Sequence, residues 1–134
     1  MDVLRLATTL GHWPRLENPG STSEKRSVVC GSRVTVDVVL DDTGRVVAFG
    51  QDVQACALGQ ASAALLAKHI VGLSAAEIEQ ARSTLAAFLA GTAETIGDWP
   101  GLDKLASAKG YPARHASIRL PFEAAAEAAA GAGH

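Results

Sequence analysis

The stretch FGQDVQACALGQASAALLAKHIVG, residues 49–72, decides the fold and carries the first candidate functional residue. Its pattern predicts the end of a strand, a turn at Gly50 and then a helix. One apolar face of the predicted helix contains Leu58, Ala61, Leu65, Leu66 and Ile70. Gly72 is the residue type that ends helices in the left-handed conformation. The stretch therefore predicts that Cys56 lies between the end of a strand and a buried helix, at the start of that helix.

Cys56 falls in the predicted first turn of this helix. Unpaired amide N–H groups and the positive end of the helix dipole favour the thiolate form of a cysteine in that place. A thiolate attacks electrophiles and binds soft metals. The other interpretation is that Cys56 is a small, buried apolar residue, as free cysteines often are. Taken alone, the local pattern favours this second interpretation.

A predicted β-hairpin precedes this stretch. From Ser27 the sequence pattern becomes typical of strands, and residues 33–40 alternate polar and apolar side chains. A DDTG turn follows, and residues 45–49 are predicted to form the returning strand. A short third segment is expected near Val53. Cys30 stands at the start of the first long strand, so antiparallel pairing brings it and Cys56 toward the same end of the sheet.

The remaining segments supply helices and connections. We predict a short helix in residues 2–10 and an extended polar connection in residues 17–21. A capping box opens a second helix, residues 74–91, which looks like simple cover for the sheet, as does the helix before it. A short helix is expected at residues 102–106 and an alanine-rich helix in residues 113–133. The predicted fold class is α+β, a small three-stranded antiparallel sheet covered on one face by helices.

Composition limits the function classes. The chain has 134 residues, 48% of them hydrophobic and 19% charged, which is the balance of one compact domain. The net charge is −2 and the lysines and arginines are scattered, so nucleic-acid binding is not expected. No run approaches the ~20 apolar residues of a membrane helix. The start of the sequence lacks the features of a secretory signal, and two cysteines are too few for a disulfide framework, so a cytoplasmic location is expected.

Three motifs in order resemble the NifU/IscU-type iron–sulfur cluster assembly scaffold proteins, particularly the SufU-like branch. They are Cys30-Gly31-Ser32 opening the hairpin, Gly50 through Cys56 running into the small-residue helix, and YPARHAS, residues 111–117, followed by LPF. The resemblance implies one scaffold-like domain in residues 1–134. Its core covers about residues 17–130, between an N-terminal segment, 1–16, and a tail, 131–134.

The resemblance also implies a ligand set. Proteins of this family hold a nascent [2Fe–2S] cluster or a zinc ion with three cysteines and one aspartate. Cys30 and Cys56 match the first two cysteines, whereas Ser32 occupies the aspartate position and Ser117 the third cysteine position. Arg114 matches a basic residue three positions before that cysteine. The family pattern Cys/Asp/Cys/Cys has therefore become Cys/Ser/Cys/Ser.

A serine hydroxyl stays protonated at neutral pH and ligates iron or zinc poorly. Three replacements are open: the imidazole of His115, a homodimer in which each chain supplies two thiolates, or small thiols or a partner protein. Plainer interpretations stand beside these. His115 is then a solvated residue at a helix start, Ser32 a turn residue and Ser117 a helix cap. Arg114 either lowers the pKa of nearby thiols or pairs with a carboxylate.

The resemblance implies a non-enzymatic scaffold or carrier. Such a protein accepts sulfur from a cysteine desulfurase on Cys30 or Cys56, binds iron or a labile [2Fe–2S] cluster, with zinc as the alternative metal, and passes its cargo to iron–sulfur acceptor proteins. A second hypothesis is a cluster-free paralogue that acts as a binding or regulatory module. A third is a thiol sulfurtransferase with Cys56 as acceptor and with Arg114 and His115 around it. The sequence contains no nucleophile–base signature typical of a hydrolase.

Overall fold

The computed structural model describes residues 14–27 and 31–132. Its elements, in chain order, are β1 (Ser21–Arg26), β2 (Arg33–Leu40), β3 (Val46–Gln54), α1 (Ala57–His69), α2 (Ala75–Ala90), two 3₁₀ helices (Leu102–Gly110 and Pro112–Arg114) and α3 (His115–Ala132). The predicted α+β class is confirmed. The helix predicted for residues 2–10, and Cys30, lie outside the described residues.

The three strands form one antiparallel sheet in the order β1-β2-β3. The period-two alternation of β2 predicts one core face and one face in water. Val34, Val36 and Val38 on the first face are fully buried, but Thr35 and Asp37 on the second face are buried too, so the prediction for that face was wrong. The α3 helix contacts β1 and β2. None of the helices in the described part of the chain is long and apolar enough to cross a membrane.

Strand β3 does not end at Gly50, so the predicted turn there and the separate segment near Val53 were wrong. The strand continues to Gln54, and Gly50 pairs with Asp37 of β2 in its middle. A Cβ atom on Gly50 would collide with the carbonyl oxygen of Pro14 and would lie 2.9 Å from the amide nitrogen of Leu16. The glycine therefore allows another backbone segment to cross the strand at close range, and this explains Gly50 without a turn.

The first strand was also misplaced by the sequence pattern. Strand β1 begins at Ser21, where the pattern predicted the end of a polar connection, and it precedes the predicted onset of strands at Ser27. Its sequence, STSEKR, has no apolar residue, and only Ser23 is buried. An edge strand pairs through its backbone on one side only, so it forms without the apolar alternation that sequence reasoning relies on.

The outer face of the sheet is anchored to the segment that crosses Gly50. Asp37 is fully buried there; its carboxylate accepts hydrogen bonds from the Arg15 guanidinium, from the Thr22 hydroxyl at 2.6 Å and from the Leu16 amide at 3.0 Å. Burial acts to raise the pKa of Asp37, but these hydrogen bonds outweigh it, and the pKa lies below its usual value. The ionised carboxylate therefore holds this segment on the sheet.

Helix α1 is an interior element, so its description as simple cover with one apolar face was wrong. Gly59 and residues 61–67 are all buried. The helix contacts β3, α3 and the first 3₁₀ helix. Hydrogen bonds join it to its surroundings: Gln51 of β3 and Trp99 donate to backbone carbonyls of α1, and Ser62 of α1 donates to the carbonyl of Ile118 at 2.7 Å. Small residues suit such a site because neighbours approach from several sides.

The two later helices agree more closely with the predictions from the sequence. Helix α2 has the predicted capping box, in which Ser74 and Glu77 bond to each other's backbone amides, and it ends at Gly91 with φ +86°. Helix α3 continues through Pro121. Five of its alanines are buried, namely 124, 125, 126, 128 and 129, so the alanine-rich stretch allows close packing as well as helix formation.

We expect Gly50→Ala to lower the free energy of unfolding by about 1–3 kcal/mol, because the new methyl group must displace the backbone of residues 14–16. Gly110→Ala is the matched control, since a Cβ atom there meets nothing within 4 Å. Urea unfolding of both variants measures the difference. Equal stabilities would contradict the close crossing at Gly50.

Candidate functional site

Three chain segments meet in a pocket beside the end of β3 and the start of α1. The pocket has a volume of about 370 Å³ and is lined by Gly31, Ser32, Gln54, Ala55, Cys56, Gln60 and Arg114. Strand β3 supplies Gln54, and α1 begins three residues later, so this end of the sheet and the helix start are joined by a very short connection. As the sequence predicts, Cys56 lies between the end of a strand and the start of a helix.

Cys56 is the N-cap residue of α1, with φ −68° and ψ 174°, and its thiol is free and half-buried. Burial acts to raise its pKa. The Gly59 amide, the Ser117 hydroxyl, the Leu58 amide and the Arg114 side chain oppose burial, and together they lower the pKa below that of an ordinary thiol. The thiolate interpretation of Cys56 gains support over that of an inert, buried apolar residue.

Ser32 and Ser117 are buried and bonded to each other, with 3.0 Å between their hydroxyl oxygens. The Ser117 hydroxyl is also one of the groups that lower the pKa of Cys56. The serine pair therefore joins the residue before β2 to the first turn of α3, beside the N-cap residue of α1.

Arg114 lies in the second 3₁₀ helix, immediately before α3; it is exposed and lines the same pocket as Cys56, whose pKa its side chain lowers. Of the two interpretations, the one in which Arg114 lowers the pKa of a thiol agrees with this position. The four predicted site residues Ser32, Cys56, Arg114 and Ser117 are therefore together in one place.

His115 has a different environment. Its Nε2 atom lies 3.2 Å from the carbonyl oxygen of Ala108 and 2.9 Å from that of Lys109, so the ring ties the first 3₁₀ helix to the start of α3. His115 is not among the pocket-lining residues. Its role as a metal ligand stays a prediction.

Cys30 lies outside the described residues, although the two residues that follow it, Gly31 and Ser32, line the pocket. In the part of the chain that the structure describes, no group of three or more His, Cys, Asp or Glu side chains could hold a metal ion. The predicted pairing of Cys30 with Cys56 as metal ligands stays a prediction as well.

Two glutamines of the pocket were missed by sequence reasoning. Gln54 is the last residue of β3, and Gln60 lies in α1, where its side chain donates to the carbonyl of Ala55 at 3.1 Å. Gln60 had a usable signal, because a residue four positions after Cys56 lies on the same side of a helix start. Gln54 had none, since its position in the pocket depends on where the strand ends.

The arrangement suits a reactive sulfur anion. A half-buried thiol lies at a helix N-terminus, where two backbone amides, a hydroxyl and a guanidinium lower its pKa. Such a sulfur can attack another sulfur atom or bind a soft metal. Of the two serines, the hydroxyl of Ser117 favours the charged form of this sulfur.

No protein-family model matches the sequence, and no match was found among curated proteins. Solved structures do match. The N-terminal part of a nitrogen-fixing NifU-like protein from Brucella abortus is 31% identical, with a TM-score of 0.92 over 98% of this chain and 92% of that one. A candidate iron–sulfur cluster assembly scaffold protein for the SUF system from Fervidobacterium islandicum AW-1 is 20% identical, with a TM-score of 0.87 over 96% and 93% of the two chains.

We expect the Cys56 thiol to be alkylated at lower pH than a cysteine in an unstructured peptide, because its pKa is lowered. Ser117→Ala and Arg114→Ala each remove a group that stabilises the thiolate, so both should move the alkylation profile of Cys56 to higher pH. Mass spectrometry of the Cys56 peptide after timed iodoacetamide treatment separates its reaction from that of Cys30.

Arg82→Ala is the control for loss of one positive charge, because Arg82 pairs with Glu79 on α2, outside the pocket. Its Cys56 profile should equal that of the unmodified protein. If the Ser117→Ala and Arg114→Ala profiles also coincide with it, the assigned origin of the lowered pKa is wrong.

Proposed function

The chain belongs to the NifU-like family of iron–sulfur cluster assembly scaffold proteins, and on this premise we propose that it carries iron or a labile [2Fe–2S] cluster on Cys56 and Cys30. Acceptor iron–sulfur proteins then take this cargo from it, and a cysteine desulfurase supplies its sulfur. The observation that supports the proposal is the thiolate-stabilising environment of Cys56 in an open pocket where the family's ligand positions 32, 56 and 117 converge.

Thiolate sulfur is the preferred ligand of iron in such clusters, and zinc takes the same ligand. Cys56 becomes a thiolate at lower pH than an ordinary cysteine, because its surroundings lower the pKa of the thiol. Residues 31 and 32, next to Cys30 in the sequence, line the same pocket. The guanidinium of Arg114 offsets the negative charge that a thiolate-bound cluster brings.

The donor set also makes the cargo labile. Ser32 and Ser117 are bonded to each other and keep their protons, so they contribute no anionic ligand. Two thiolates leave the outer coordination positions of a [2Fe–2S] unit incomplete. Small thiols, a partner protein or a second copy of the chain complete them in our proposal, and ligands of this kind exchange readily when cargo is passed on.

A second candidate function is a persulfide acceptor that forms no cluster. The observation that favours it is the same serine pair, which stabilises a single thiolate and leaves the ligand set incomplete. The Cys56 thiolate would attack the outer sulfur of a desulfurase persulfide. A new sulfur–sulfur bond forms on Cys56, the old one breaks, and the desulfurase cysteine leaves as a thiolate.

Anaerobic reconstitution with iron and sulfide tests the carrier proposal. The purified protein should retain iron and acid-labile sulfide, and Cys56→Ser should lose most of both because it removes the activated ligand. Ala57→Ser is the matched control, since it adds a hydroxyl at the exposed neighbour of Cys56 and leaves the thiol in place. The proposal would be overturned if the unmodified protein retained no iron and sulfide, or if Cys56→Ser retained as much of both as the unmodified protein.

Restoring the family's ligands should strengthen retention. We expect Ser32→Asp with Ser117→Cys to release iron to a chelator more slowly than the unmodified protein, because both new side chains bind iron better than a protonated hydroxyl. The replaced residues are buried, so circular dichroism must first establish that the double variant folds. Folded protein with equal or faster release would argue against a metal at this place.

The two candidate functions predict different products with a cysteine desulfurase and cysteine as sulfur source. A carrier should accumulate iron and sulfide together when iron is present. A persulfide acceptor should gain one sulfur atom on the Cys56 peptide, detected by mass spectrometry, and retain no iron.

A further inference from the structure

We propose that the pocket beside Cys56 binds a small thiol that carries a carboxylate, and that the guanidinium of Arg114 selects this negatively charged compound. The inference rests on the proposed function, in which Cys56 binds cargo or reacts with sulfur compounds. It narrows the choice among small thiols, a partner protein and a second copy of the chain, any of which could complete the ligand set.

The lining of the pocket has a single fixed charge. Among the described residues that line it, only Arg114 is charged, and the polar side chains of Ser32, Gln54 and Gln60 are neutral. Arg114 is exposed and forms no ion pair with a carboxylate in the described part of the chain. A guanidinium keeps its proton in proteins, so this positive charge faces the pocket at every working pH.

The charged side chains next to the pocket, on the outer face of the sheet, balance one another. The guanidinium of Arg33 lies 3.7 Å from the carboxylate of Asp52 and 3.9 Å from that of Glu24. Arg26 donates to Glu24 at 3.0 Å. These four side chains carry two positive and two negative charges, so Arg114 decides the sign of the charge at the pocket.

The size of the pocket suits a small compound. Its volume of about 370 Å³ is near the lower end of the range of about 300–1,000 Å³ that is typical of small-molecule sites. Cys56 and Arg114 line this one small space. A compound can therefore place its sulfur at Cys56 and its carboxylate at the guanidinium, whose planar row of donors matches a carboxylate.

Exchange of Cys56 with disulfide probes of different charge tests this inference. The Cys56 thiolate attacks one sulfur of the probe and forms a new sulfur–sulfur bond. The bond within the probe breaks, and the other half leaves as a thiolate that takes a proton from water. Dithiodipropionate, hydroxyethyl disulfide and cystamine are similar in size and are negative, neutral and positive at neutral pH. Mass spectrometry of the Cys56 peptide separates its reaction from that of Cys30.

We expect Arg114→Ala to lower the ratio of the dithiodipropionate rate to the hydroxyethyl disulfide rate by roughly threefold, because the attraction of one charge is lost. The ratio for cystamine should rise. A change in the amount of thiolate alters all three rates alike and cancels in these ratios. The intrinsic reactivity of each probe cancels when a variant is compared with the unmodified protein.

Two further variants test the role of the charge itself. Arg114→Lys keeps the positive charge and should keep most of the preference. Arg82→Ala removes a positive charge outside the pocket and should leave the ratios unchanged. The inference would be overturned by equal ratios in the unmodified protein and Arg114→Ala, or by an equal loss of preference in Arg82→Ala.

The same selection should appear in cargo binding. During reconstitution with iron and sulfide, mercaptopropionate should raise iron retention more than equal concentrations of mercaptoethanol or cysteamine. Arg114→Ala should remove this difference.

The exchange assay contains no iron, so the two proposals can fail separately. Absence of iron retention with all three thiols, together with exchange ratios that depend on Arg114, would reject the carrier function and keep the selection by charge. Equal retention with all three thiols, together with ratios that Arg114→Ala leaves unchanged, would keep the carrier function and reject the selection.

Discussion

The close contact between the first turns of α1 and α3 is the constraint on which the site depends. It brings a helix N-terminus, a strand end and a second helix start to one place, and the space at Gly59 permits it. Helix α1 is buried on nearly all sides, so its position cannot adjust independently of its neighbours. The position of the Cys56 sulfur relative to its hydrogen-bond donors is therefore set by the packing of the whole domain.

The chemistry at this contact follows from a competition between burial and hydrogen bonding. Removing a thiol from water disfavours its charged form, whereas two backbone amides, a hydroxyl and a guanidinium favour it. The donors win because they are held in place before the proton leaves. Ser117 is held beside this thiol by its hydrogen bond to Ser32, with 3.0 Å between the two hydroxyl oxygens. Two serines at the family's ligand positions thus have a structural role that differs from metal binding.

Much of the architecture could be read from local patterns. Period-two alternation identified β2, the capping box at Ser74 located the start of α2, and the change of pattern before Cys56 located the start of α1. Strand β1 could not be found this way, because an all-polar edge strand forms through backbone pairing with β2. The continuation of β3 through Gly50 was equally invisible, since its cause is the distant segment that crosses it.

The sequence by itself determined strand β2, the starts of the first two helices and the helix-start position of Cys56, because hydrophobic period and capping are local properties of the chain. The family resemblance, and no local pattern, singled out Ser32, Arg114 and Ser117. Only the tertiary structure decided that Ser32 and Ser117 bond to each other, that His115 faces backbone carbonyls and that α1 lies in the interior. These outcomes depend on distances between segments far apart in the sequence. No local pattern contains such distances, because they result from how the helices and the sheet pack together.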